Sequence, residues 1–446
     1  MEEKNKLATM PVRPLLYTMS VPLMLSLLVQ SLYNIVDSIF VARLSEAALT
    51  ATSLAYAVQV LMIALSVGTA VGLNALLSRT VGAGEEAAAC RVATTGLWLT
   101  LASALIFCLG GGVFADAIAA MMTDDSALEA LCASYLSIVM TWCWGLFLQT
   151  YAQRLLQAVG DTFLSMVSLM IGAIVNIVLN PVLIFGLCGL PALGIRGSAL
   201  ATVIGQSLGA VAALAFNCLR NPVIHVRLAG YRFCWQDVAA IYRVGLPTIV
   251  VQALGSVMTF AVNALLLSVS STAVAFFGVY YKLQNFLMMP LNGLGQAAIP
   301  IAGYNYGSGN SARIRALWRV LLPTGIGVAL VGVVIFESLP RQLLALFSAD
   351  DAMLALGVPA LRVIAVTFVC AAVSMLCGYF ASGLGNGVIN MVGSALRQFI
   401  VLVPALLVLL YAGGLQMAWF AFWIAEAAAV FYSLFALRRL LRALER

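Results

Sequence analysis

A single carboxylate, Asp37, stands late in an apolar, helix-length run, residues 20–44, SVPLMLSLLVQSLYNIVDSIFVARL. An acid in such a run has no water to ionise into, and at the centre of a membrane helix it costs roughly 2.5–3.5 kcal/mol. It must be protonated or solvated by neighbours, and a carboxylate that takes up a proton or a cation there does the chemistry of ion coupling. The plainer alternative is that Asp37 marks the outer end of its span, with Arg43 at the headgroups. Counted from Leu15 it lies 37 − 15 = 22 residues along, roughly 33 Å at 1.5 Å per residue, and so in the outer part of the helix.

Other polar residues are candidates to solvate it. Asn176 and Asn180 are four apart and share a helix face, as do Thr202 and Gln206 on the next run. Pro181 cannot donate to the carbonyl of Ile177, which leaves a broken hydrogen-bond ladder beside the two amides. Ordinary hydrogen bonding between helices, worth roughly 0.6 kcal/mol per pair, is the alternative use of these groups. Further along, Lys282 and Glu426 are isolated opposite charges in apolar runs. Either alone would be costly in lipid, so the two are expected to pair, unless Lys282 snorkels to an interface. His225 is the only histidine and the nine cysteines are scattered, so no metal-ligand spacing is present.

These side chains need apolar helices to hold them. The chain of 446 residues is 63% hydrophobic and 9% charged, with a mean hydropathy of +1.05. That composition excludes a soluble fold and requires a polytopic membrane protein. Apolar runs predict helices at 15–41, 50–78, 92–113, 131–153, 163–188, 196–218, 243–268, 275–303, 317–338, 355–381, 390–411 and 415–437, an all-α protein of twelve transmembrane helices. The net charge of +6 comes from basic residues in short loops and does not form a nucleic-acid-binding face. Arg79, Arg91, Arg154, Arg243, Arg313 and Arg397 fall on the side of the N-terminus, while Arg43, Arg196, Arg341 and Arg362 fall on the other. The positive-inside rule then puts both termini in the cytoplasm, in the cell inner (plasma) membrane. No cluster suited to enzymatic chemistry or nucleotide binding occurs, and no cofactor is expected.

The halves repeat. Pro22 and Pro247, Gly68 and Gly293, Gly82 and Gly307, Gly84 and Gly309, and Gly160 and Gly385 are all 225 apart (247 − 22 = 225). Six helices recur in the same order, so the repeats are parallel. The expected division is residues 1–218, a linker at 219–243, and residues 244–446. Pro22 lacks the hydrogen bond to the carbonyl of Thr18 and is a candidate hinge.

The stretches PLMLSLLVQSLYNIVDSIFVARL, GTAVGLNALLSRTVGAG, NIVLNPVLIFG and YKLQNFLMMPLNGLGQAAIPIAGYNYG, in this order and at this repeat distance, resemble the multidrug and toxic compound extrusion (MATE) family. The resemblance is to the MepA-like and DinF-like branch of the wider MOP flippase superfamily, and it covers essentially the whole chain. It implies two six-helix bundles around a central cavity, exporting amphipathic, often cationic organic molecules by antiport against protons or sodium, as a monomer in the lipid bilayer. A lipid-linked oligosaccharide flippase of the same superfamily is the alternative. By the resemblance, Asp37 matches the coupling acid of the first helix and would be the place of any sodium ion. Asn176, Asn180 and Thr202 match polar positions beside it, although some relatives have an acid at the position of Asn180. The family's other coupling carboxylate, on the seventh helix, has no counterpart, since residues 248–263 offer only Gln252 and Asn263. These two, with Lys282 and Glu426, are the expected polar groups of the second half.

Overall fold

The computed structural model describes residues 6–221, 223–226, 230–347 and 350–443. The spans in chain order are α1 (Val12–Leu44), α2 (Glu46–Gly82), α3 (Glu86–Ala120), α4 (Ser126–Thr141 with Trp144–Ala158), α5 (Thr162–Phe185), α6 (Ile195–Arg220), α7 (Trp235–Leu267), α8 (Ser271–Gly307), α9 (Ser311–Ser338), α10 (Asp351–Ala365 with Phe368–Gly383), α11 (Val388–Ala418) and α12 (Ala421–Ala443). Among the described residues, nine are single helices long and apolar enough to cross a membrane, and α4 and α10 do so as pieces bent by 42° and 47°. α8 completes the twelve, its apolar turns interrupted by Gln284, Asn285, Asn292 and Gln296.

The repeat reaches down to the caps. The Ser45 side chain accepts from the Ala48 amide to start α2, and Ser270, 225 residues later, accepts from Ala273 to start α8. Asp125 caps α4 and Asp350, again 225 later, caps α10. Each side chain satisfies amides that the first helical turn leaves without a partner. The glycines after α2 and α8 (Gly84, φ 75°; Gly309, φ 69°) and after α4 and α10 (Gly160, φ 87°; Gly385, φ 84°) take up matching left-handed turns.

The helices extend several residues beyond most expected ends. The largest correction is at α7, which begins at Trp235, inside the stretch assigned to the linker. Asp237 and Arg243 kept this segment below the hydropathy of a span, yet Val238 and Ile241 are buried and hold it as an amphipathic turn. The linker is correspondingly shorter, and its residues 222 and 227–229 lie outside the described residues. The expected break before the last helix is a kink at Gly413 and Gly414, after which the chain turns once more before α12.

The halves are interwoven where they meet. The start of α1 (Leu15, Leu16, Met19) shares a core with α8 and α10 (Leu294, Ile301, Phe380). In return Ile241 of α7 packs with Leu73, Leu77 and Val81 of α2 and Tyr151 of α4. Glycines allow the closest approaches. A methyl at Gly82 would fall on the Tyr304 carbonyl and one at Gly307 on the Arg79 carbonyl, while Gly68 lies against Ile249 and Gly293 against Met24. Each contact is the repeat mate of the other, since 304 − 79 = 225 and 249 − 24 = 225. The helices are therefore closed together at the end bearing the N-terminus. Past Ser26 in α1, and between Pro247 and Met258 in α7, continuous burial stops. A central cavity begins there between the halves.

Candidate functional site

The outer half of α1 carries Asp37 to the cavity wall, where α5 and α6 meet it. Asn180 Nδ2 donates to Asp37 Oδ1, and Ser198 Oγ donates to the same oxygen at 2.9 Å. One turn along, Asn176 Nδ2 donates to Thr202 Oγ1 at 3.1 Å. The four-residue spacing on each helix stacks these pairs as two rungs, Asn180 with Ser198 and Asn176 with Thr202. Asp37, Asn180 and Ser198 thus form the inner set, and Asn176 and Thr202 bind each other instead of the acid. Ser198 was not among the expected residues, although its position four before Thr202 on one face was the signal for it. The Oδ1 atoms of Asn176 and Asn180 are buried without a donor, so two unpartnered acceptor oxygens belong to the residues of these rungs beside the carboxylate. Such a set can hold a proton on the acid or offer oxygen ligands to a small cation. Close by, Gln59 Nε2 donates to the Tyr135 hydroxyl at 3.0 Å, and Tyr33 completes the wall.

The second half departs from expectation. Lys282 does not pair with Glu426: its ammonium lies 6.0 Å from the Phe347 ring centre, and the side chain is exposed. Glu426 instead faces Arg397, with Nε 3.7 Å from Oε1. Arg397 had been assigned to the cytoplasmic side, but it sits inside α11 on a π-helical turn, Leu396–Ile400, and reaches the buried acid from there. Pro404 cannot donate to the carbonyl of Ile400, which gives that turn its cause. Gln252 lines the cavity, whereas Asn263, Lys282 and Glu426 lie off its described wall, and the Asn263 Oδ1 is buried without a donor.

Arg154 is a second correction. It was counted with the cytoplasmic arginines, yet it is 6% exposed and lines the deep part of the cavity. Around it are amides from both halves, among them Gln30, Gln157, Gln206, Gln252 and Gln296. Single glutamines in apolar runs gave no sign of converging, because convergence depends on how five helices cross.

A family model described as MatE matches residues 22–182 and 247–407, two blocks offset by 225. The chain is similar to the multidrug export protein MepA of Staphylococcus aureus (strain bovine RF122 / ET3-1), 24% identical over 420 residues, covering 94% of this chain and 91% of that protein. The multidrug export protein MepA of Staphylococcus haemolyticus (strain JCSC1435) is 24% identical over 419 residues, covering 93% and 91%. Among solved structures, the outward-facing conformation of a multidrug resistance MATE family transporter of the MOP superfamily superposes with a TM-score of 0.92 at 22% identity, over 99% of each chain.

Proposed function

The chain belongs to the MatE family, and from that membership we propose that it is a secondary-active antiporter exporting amphipathic, often cationic organic compounds in exchange for protons or sodium. The observation that supports this reading is Asp37, a carboxylate in an apolar span, solvated by Asn180 and Ser198 at the cavity wall. Substrate and ion compete for the first half. When Asp37 takes a proton from outside, the charge that Asn180 and Ser198 solvate is gone. α1 can then bend at Pro22, where the ladder lacks one bond, and repack against α5 and α6. That movement expels the substrate, and return of the proton to the cytoplasm resets the cycle. Sodium would use the same carboxylate with the free amide oxygens of Asn176 and Asn180. The protein works as a monomer in the cell inner (plasma) membrane with both termini cytoplasmic, and its two moving parts are the halves α1–α6 and α7–α12, the second counted from Trp235 rather than from residue 244.

The flippase alternative needs several cations for a pyrophosphate. Arg154 is the one lysine or arginine on the described wall of the cavity around Asp37, so the antiporter reading is favoured. Purified protein in proteoliposomes, given an organic-cation dye, tests it. The dye should move against an imposed pH gradient or sodium gradient, and a dye that ignores both refutes the proposal. Pro22→Ala separates bending from rigid rocking of the repeats, since export at the wild-type rate would favour rocking.

A further inference from the structure

Arg154 is a buried cation that lacks an anion. It projects from the second piece of α4, Trp144–Ala158, into the cavity. Nη1 donates to Gln157 Oε1 at 2.7 Å, and Nη2 donates to Gln296 Oε1 of α8 at 3.1 Å. Gln157 is in turn fixed by donating from Nε2 to Ser165 Oγ at 2.9 Å, which points its oxygen at the guanidinium. A guanidinium has five N–H donors in a planar fork, and these neutral amides engage two of them. Among the described residues no carboxylate pairs with Arg154. Asp37, the acid on the same cavity wall, is held by its own donors. The deep lining near Arg154 is otherwise amide, hydroxyl and apolar: Ser26, Gln149, Gln153, Leu169 and Gln206.

A buried charge without a partner is costly, and a planar fork with free donors fits an oxyanion in a two-pronged grip. We propose that Arg154, Gln157 and Gln296 form an oxyanion subsite at the floor of the cavity. The molecules exported best are then apolar bodies carrying a carboxylate or a similar singly charged acidic group, and a zwitterion can add a cationic end facing Asp37. This rests on the export reading above, because it names the cargo of that cavity.

A matched dye pair tests the subsite. Rhodamine 110 and rhodamine 123 share one aromatic cation and differ in a free carboxylate against its methyl ester. Binding of each to the full chain in nanodiscs is read by fluorescence polarisation at neutral pH. The acid is expected to bind about tenfold more tightly than the ester, the ratio expected of about 1.4 kcal/mol. In Arg154→Gln the affinity for the acid falls and the preference disappears, while Arg154→Lys keeps part of it. A wild-type preference that is absent or reversed, or one unchanged in Arg154→Gln, overturns the proposal. If Arg154→Gln does not fold, sulfate competition on the wild type decides: sulfate should displace the acid and spare the ester, and equal or no displacement of the two overturns it. Gradient-driven movement in proteoliposomes is scored separately. Movement of neither dye counts against the export reading, whatever the binding preference.

Discussion

Asp37 keeps its place because two donors face it from different helices, Asn180 of α5 and Ser198 of α6. Asp37→Asn preserves volume and removes the charge. Dye binding should persist in this variant while gradient-driven transport in proteoliposomes falls to background; full coupled export at normal expression would remove Asp37 from its role. The pair Arg397 and Glu426 gives a stability prediction. Their side chains are 18% and 6% exposed, and Glu426 Oε2 is buried without a partner. Neutralising one member alone should cost about 3–5 kcal/mol, much of it regained when both are neutral. Thermal unfolding of Arg397→Gln, Glu426→Gln and the double variant checks this, and additive losses would contradict it. At this scale the sequence was half legible. Asp37 and its amides stood out because polar groups are scarce in apolar runs. The partner of Glu426 did not, since Arg397 lies near the start of the run 390–411 and was assigned to the cytoplasmic side, whereas it reaches the buried acid from within the π turn.

The helices themselves were readable from apolar length, but their bends were not. α4 breaks at Trp142 and Cys143, and α10 at Val366 and Thr367, where no proline or glycine marks the place. The breaks fall within one residue of each other in the two repeats (142 + 225 = 367), so the break belongs to the repeat although no breaker residue announces it. Glycine contacts are the opposite case, since their chemistry was visible and only their partners were hidden. Gly82→Val and Gly307→Val place side chains on the carbonyls of Tyr304 and Arg79. Each should pry apart the ends of α2 and α8 and favour a state open on the side of the N-terminus. Spin labels at the exposed positions 86 and 312, in a background without other reactive cysteines, should report a distance several ångströms longer. A folded variant with the wild-type distance would show that these contacts do not hold the end shut.

For the molecule as a whole, orientation in the membrane is testable with its own thiols. Cys188, in the turn after α5, and Cys218, at the far end of α6, are both exposed. A membrane-impermeant maleimide applied to intact cells should label Cys188 and leave Cys218 until the cells are opened; the reverse pattern would invert the topology. The repeat at 225 residues was legible because left-handed glycines and helix caps are local requirements written in residue type. The exchange of lead helices was not, because nothing local in the starts of α1 and α7 says which half will cover them. That exchange, with its mirrored glycine contacts, bears on leakage. The Gly82 and Gly307 contacts are chemically alike and join the same two helix ends, so neither gives way while the other holds. In the export cycle proposed above, the seal would open as one event, denying water and ions a half-parted passage straight through the protein.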